Sequence, residues 1–140
     1  MSTSTTASAD WPGRRLGLPE DGARSIARPG RRIAAIAIDW AIATLVSVAF
    51  FSPLGWLEIN ALATTLVFAT EQIVLLVLLG GGIGHLLLGM RVVPVAGGYL
   101  GVWRPVVRTA LLCLAIPALI WDRDQRGMHD RLVGTVLVRR

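Results

Sequence analysis

Residues 33–51 read IAAIAIDWAIATLVSVAFF, 19 residues interrupted by one charge, Asp39. As a helix this segment reaches about 28 Å, close to the thickness of a bilayer's hydrocarbon core. An uncharged turn follows, Ser52-Pro53-Leu54-Gly55-Trp56, with Trp56 suited to the membrane interface. The chain then returns through residues 57–79, which contain Glu58, Asn60 and Glu71. This alternation predicts a transmembrane helical hairpin, with Glu58 an interfacial charge near the outer boundary.

Composition agrees. Apolar residues make up 54% of the 140, charged residues 16%, and the mean hydropathy is +0.61. That leaves too little polar surface to coat a water-soluble globule. All 14 basic residues are Arg, against nine acids, for a net charge of +5. The arginines lie between hydrophobic runs rather than on one soluble face, so anionic headgroups of a lipid bilayer are the expected partner and nucleic acid is not. One cysteine, Cys113, excludes an intramolecular disulfide, and with only His85 and His129 beside it a zinc site is short of ligands. No cofactor is expected.

Residues 1–30 are rich in Ser, Thr, Pro, Gly and charge, and they read as a disordered basic cytoplasmic tail preceding a membrane domain at 31–138. They lack the apolar core of a signal peptide, so the first hydrophobic segment is expected to remain in the mature protein. Arg24, Arg28, Arg31 and Arg32 precede the first helix, and Arg91 and Arg104 follow the second. The positive-inside rule then places the N-terminus and the 80–104 loop in the cytoplasm, at the plasma membrane. Gly80, Gly81, Gly82 and Gly84 read as a flexible helix exit rather than a phosphate loop, which would require a following Lys-Ser/Thr. Beyond them MRVVPV, turned by AGG into residues 99–103, suggests a short hairpin.

A third apolar run, 106–121, is only 16 residues long, carries Arg108 in its first turn and Pro117 near its end, and either spans or is re-entrant. A re-entrant or interfacial run keeps the mixed-sign tail after Asp122 cytoplasmic, and that reading is preferred. Thr135 to Val138 is then a candidate strand partner for Arg91-Val92-Val93. The fold class is an all-α membrane protein: a transmembrane helical hairpin plus a third apolar segment, with short cytoplasmic β-like pieces.

The intramembrane acids carry the most chemistry. An ionised carboxylate in hydrocarbon costs at least a few kcal/mol, so Asp39 and Glu71 must face protein or water. Asp39 lies seven residues inside Arg32 and Glu71 eight before Leu79, matched in depth for antiparallel helices. Ala35, Asp39, Ala43 and Ser47 form a small-residue stripe; Asn60, Thr64, Val67 and Glu71 form a polar one. Such stripes are packing glue, a proton or cation site built from Asp39, Glu71, Asn60 and Thr64, or a partner-binding face. Arg32 is two turns from Asp39, too far for direct contact, which makes Asp130 its nearer candidate partner. His129 titrates near neutrality in an ordinary setting.

Arg32-x6-Asp39 opening a first transmembrane helix, Gly84-x4-Gly89-x2-Val92-Val93 after the second, Arg108 early in a third apolar run, and Gly127-Met128-His129-Asp130-x3-Gly134-Thr135-Val136 together resemble the RDD family of small integral membrane proteins. The resemblance covers roughly residues 28 to 138, and it implies that the family's named Arg and two Asp are Arg32, Asp39 and Asp130. Where members often carry a Thr two residues before the glycine and a Lys directly after it, Gly82 and His85 stand here. Ion or solute transport has been proposed for some members.

No nucleophile-base-acid set or nucleotide fingerprint appears, so an enzyme is not expected. The leading expectation is an accessory or interaction subunit of a membrane assembly. The alternative is an oligomeric proton- or cation-coupled transporter using Asp39 and Glu71, since a monomer of two or three segments encloses little of a pathway. Either way a homo-oligomer or a larger membrane complex is expected.

Overall fold

The computed structural model describes residues 10–52, 59–114 and 125–140. Its elements are α1 (Pro29–Phe51), α2 (Ala61–Leu79), α3 (Ile83–Leu87), β1 (Met90–Pro94), α4 (Trp103–Cys113), α5 (Met128–Leu132) and β2 (Thr135–Arg139). The protein is mostly helical, and α1 and α2 are long and apolar enough to cross a membrane, each with a mean hydropathy of 2.1 over its most apolar window. Trp56, Glu58 and the part of the third apolar run beyond Leu114 lie outside the described residues.

The two long helices begin and end where local chemistry dictates. Pro29 occupies the first turn of α1, where its missing N–H costs nothing. Asn60 caps α2 by accepting the Ala63 N–H, and Gly80 closes it in the left-handed conformation, φ 77°, with its N–H on the Leu76 carbonyl. The small-residue stripe is the buried face of α1: Ala35, Asp39, Ala43 and Ser47. On α2 the buried face is Thr64, Phe68, Gln72 and Leu76. Two four-residue repeats thus run antiparallel. Ala35 shares a cluster with Leu76, Asp39 bonds Gln72, and Ala43 packs with Phe68, whose ring stacks on Trp40 at 4.6 Å between centroids.

A two-stranded antiparallel sheet caps one end of this hairpin, with Arg91 opposite Val138, Val92 opposite Leu137 and Val93 opposite Val136. The expected pairing of residues 91–93 with the C-terminal strand is therefore present. The hairpin expected within 90–103 is not: β1 takes its partner from β2, while Gly97, Gly98 and Gly101 all have positive φ and turn the chain into α4.

The N-terminal segment also departs from expectation. From Asp10 onward it is folded on the sheet rather than a disordered tail. Ile26 bridges Val138, the Ala27 N–H donates to the Leu137 carbonyl, and Leu16 and Leu18 pack against Ile26, Val136 and Val138. The sheet face turned away from the helices carries Val93, Val136 and Val138, and this segment covers it. The Gly-rich stretch after α2 is likewise ordered, since Ile83–Leu87 forms α3 and packs on α1. The chain before α1, the chain after α2 and the final strand consequently meet at one end of the hairpin.

Candidate functional site

At that end a chain of buried polar groups crosses the molecule. Asp39, on α1, is completely buried. Its Oδ1 accepts the Gly84 backbone N–H at 2.6 Å and its Oδ2 accepts the Gln72 Nε2–H at 2.6 Å, with His85 Nδ1 at 3.5 Å from Oδ2. Small side chains make this possible. A Cβ on Gly82 would stand 2.5 Å from Asp39 Oδ2, and one on Gly84 would collide with the Ala35 carbonyl. The glycines let α3 approach α1 until a backbone N–H reaches a carboxylate inside the helix pair.

A second cluster surrounds Asp130 on α5. Arg108, from α4, donates its Nε–H to Asp130 Oδ1 at 2.6 Å, and Arg32 NH1 stands 3.9 Å from Oδ2. The Thr135 hydroxyl also reaches Oδ1, at 3.2 Å. All three charged side chains are at least 94% buried. Burial alone would raise the Asp130 pKa, but Arg108, His129 and Arg32 together hold its carboxyl well below the usual range. Arg32 further donates to the Ala27 and Leu137 carbonyls, tying the start of α1 to the N-terminal segment and to β2.

His85 stands between the two clusters. Its pKa lies below the ordinary value because burial disfavours the imidazolium and Arg108 adds to that, against the opposing pull of Asp39 and Asp130. The imidazole therefore sits as a neutral link between an acid on the hairpin axis and the Arg-Asp-Arg cluster outside it.

The expected Arg32–Asp130 pair is present at the edge of ion-pair distance, and the shorter partner of Asp130 is Arg108. Asp39 is where the stripe placed it. Glu71 lies close to Asp39, as their matched depth implied, but the hydrogen bond across the helix interface comes from Gln72, where strict four-residue spacing puts it, and Asn60 takes no part. Asn60 is an exposed helix cap about three turns from Glu71, and Thr64 is buried further along the hairpin than Asp39. Glu71 instead lines an adjacent groove on α2 with Phe51 and Ile83. Neither carboxylate oxygen makes a hydrogen bond of good geometry among the described residues, although the Ile83 backbone and the Asp39 carboxyl stand close enough to act on it electrostatically. Gln72 and His85 were missed as site residues. The signals for them were the 64-68-72-76 repeat, which copies the period of the α1 stripe, and the glycines on either side of position 83.

The sequence model of the RDD family matches residues 26–134, which takes in Arg32, Asp39, His85, Arg108 and Asp130. No curated protein and no solved structure matches the chain.

Proposed function

The chain belongs to the RDD family of membrane proteins, and from that premise we propose that it serves as an accessory or interaction subunit of a plasma-membrane assembly, with both termini cytoplasmic. The observation that carries this reading is the state of Asp39. Gly84 and Gln72 occupy its two oxygens at 2.6 Å, and His85 fills the remaining approach. A buried carboxylate that accepts from two elements at once ties α1 to α2 and α3, a structural role. Meanwhile Leu45, Phe50, Leu62, Leu66 and Leu78 leave the outer faces of both long helices apolar and open to lipid or to neighbouring helices. These features support a rigid membrane module.

Purification in a mild detergent followed by native mass measurement tests this reading. A stable heterologous membrane partner is expected, and a homogeneous homo-oligomer would count against it.

One observation favours the second reading, an oligomeric proton- or cation-coupled transporter. Glu71, beside Asp39, lines a groove with both carboxylate oxygens buried and without a hydrogen bond of good geometry among the described residues. In proteoliposomes Glu71→Gln and Asp39→Asn would then abolish pH- or cation-dependent flux while leaving the fold intact. No flux from the parent protein rejects this reading.

A further inference from the structure

Arg108 is 2% exposed, and while its Nε–H is given to Asp130, its NH1 group is buried without a hydrogen-bond partner among the described residues. A charged donor withdrawn from water and left without an acceptor is costly, so natural sites that carry one hold it for something. Arg108 lines a pocket of about 530 Å³ between α1, α4 and α5, within the size range of small-molecule sites.

The pocket's walls change character in one direction. Along α1 the lining passes from Arg32 to Ile36 and Trp40, and along α4 from Arg108 to Leu112. Both walls thus turn from guanidinium to hydrocarbon within a turn or two of helix. At the polar end two arginines face one carboxylate, Asp130, so positive charge is in excess whatever the state of His129. Ile33, also on the wall, is 62% exposed, which opens the pocket to the outer surface of α1.

We propose that this pocket seats an anionic amphiphile, its acyl chain lying against Ile36, Trp40 and Leu112 and its carboxylate or phosphate oxygen accepting a hydrogen bond from Arg108. A free inorganic anion would leave the apolar half unfilled, and a neutral chain would leave the guanidinium unmatched. Entry past Ile33 lets the ligand come from the bilayer, either as a fatty acid or as a phospholipid. The site is independent of whether the protein is an accessory subunit or a transporter.

The sole cysteine, Cys113, lines the same pocket and reports its occupancy. The full chain in maltoside micelles is treated with methyl methanethiosulfonate in the presence of oleate, short-chain phosphatidylglycerol, dodecanol or inorganic phosphate. Oleate or phosphatidylglycerol is expected to slow labelling of Cys113, and whichever does so identifies the source. Half-protection should occur at concentrations roughly tenfold or more below that of dodecanol, as a charge-assisted hydrogen bond requires. Phosphate alone should not protect.

Arg108→Gln should erase the advantage of the anionic ligands. Because that change also breaks the Asp130 pair, Ile36→Trp provides a second variant, which narrows the apolar half without touching a charge. It should remove protection by oleate while leaving the melting temperature near the parent value. Equal protection by oleate and dodecanol, protection by phosphate alone, no protection at all, or undiminished protection in a folded Ile36→Trp variant would each overturn the proposal.

Discussion

Arg108 and Asp130, 22 residues apart in the chain, meet at 2.6 Å with both side chains at least 97% buried, and Arg32 approaches the other carboxylate oxygen at 3.9 Å. One acid therefore joins the third apolar segment, the first long helix and the terminal α5–β2 unit. Removing one member of a buried pair leaves its partner charged and unmatched, which typically costs about 3–5 kcal/mol. Asp130→Asn should accordingly produce the largest loss of thermal stability in detergent among single changes in this cluster. In a double-mutant cycle Arg108→Gln and Asp130→Asn should be strongly non-additive, whereas Arg32→Gln, which keeps the Arg108 bond, should couple to Asp130→Asn more weakly. Additive losses for Arg108 and Asp130 would show that the pair does not form.

Gly84 makes a different prediction, because its cost is steric. A Cβ there runs into the Ala35 carbonyl of α1, and Gly84 supplies the N–H that holds Asp39 Oδ1. Neither backbone has room to yield, so Gly84→Ala should cost about 3 kcal/mol or more, at the upper end of overpacking effects. Gly89→Ala is the control. Its Cβ meets nothing within 4 Å, and only its φ of +67° penalises alanine, by about 1–2 kcal/mol. Thermal melts of the two variants side by side check the ranking. Equal losses would mean that α3 does not press on α1 as described.

How much of this could be read from the sequence depends on which interactions repeat. Ala35, Asp39, Ala43 and Ser47 announce their face because the one intramembrane charge of this helix falls in a four-residue repeat of small residues, and all four are buried. The partner face on α2 obeys the same period, but the charge of Glu71 and the amide of Asn60 draw attention away from Gln72, the residue that bonds Asp39. Geometry chooses Gln72, which fits the repeat. The Arg91–Val93 pairing with Val136–Val138 is legible from β-branching alone. The competing hairpin over 90–103 looked equally good locally, since nothing short-range distinguishes a turn that returns a strand from one that launches a helix. Arg108 was visible as an early charge in the third run, but sequence spacing gives no way to rank two arginines that converge on one carboxylate.

Gln72 and Glu71 are neighbours in sequence with opposite expected roles. Gln72→Leu removes the 2.6 Å donor to Asp39 and leaves Oδ2 with His85 at 3.5 Å, beyond good hydrogen-bond geometry. A loss of about 1–3 kcal/mol follows for a buried acceptor deprived of its partner. Glu71→Gln breaks no hydrogen bond of good geometry among the described residues and relieves the repulsion between the Glu71 and Asp39 carboxyls, so it should not lower stability. Melting temperatures of the two variants decide the matter, and the reverse ranking would return Glu71 to the helix interface.

The pH dependence of stability should show two separate windows. His85 is held below its ordinary value of 6.5 in the folded protein, chiefly by burial. Above 6.5 neither state binds the proton, and the stability is intact. As pH falls below 6.5 the unfolded chain protonates first, so stability declines from there downward. Asp130 is also depressed, but from 3.8, so the stability its ion pairs confer is complete above that value and erodes only below it. Melts between pH 8 and pH 5 in a Glu71→Gln, His129→Gln background, which removes the other carboxyl and imidazole buried nearby, should isolate His85, and adding His85→Gln should flatten the profile in that interval. A profile that keeps its slope in the folded variant would place the titrating group elsewhere.

Strand pairing constrains topology more tightly than the third apolar run does. β2 pairs with β1, which leaves the end of α2, and the Arg24 N–H donates to the Arg139 carbonyl just before α1 begins. If α1 and α2 cross the bilayer, positions 20 and 140 share one side of the membrane whatever residues 106–121 do, with position 59 on the other. The concentration of arginines at the sheet end argues that this side is the cytoplasm. Single cysteines at Glu20, Ile59 and Arg140, all exposed positions, are introduced in a Cys113→Ala background and exposed to an impermeant maleimide on intact cells. Only Ile59→Cys should react before lysis, and all three after it. Labelling of Glu20→Cys and Arg140→Cys with Ile59→Cys silent would invert the orientation while preserving the fold. A difference between positions 20 and 140 would be incompatible with the sheet itself, because strands on opposite faces of a bilayer cannot share hydrogen bonds.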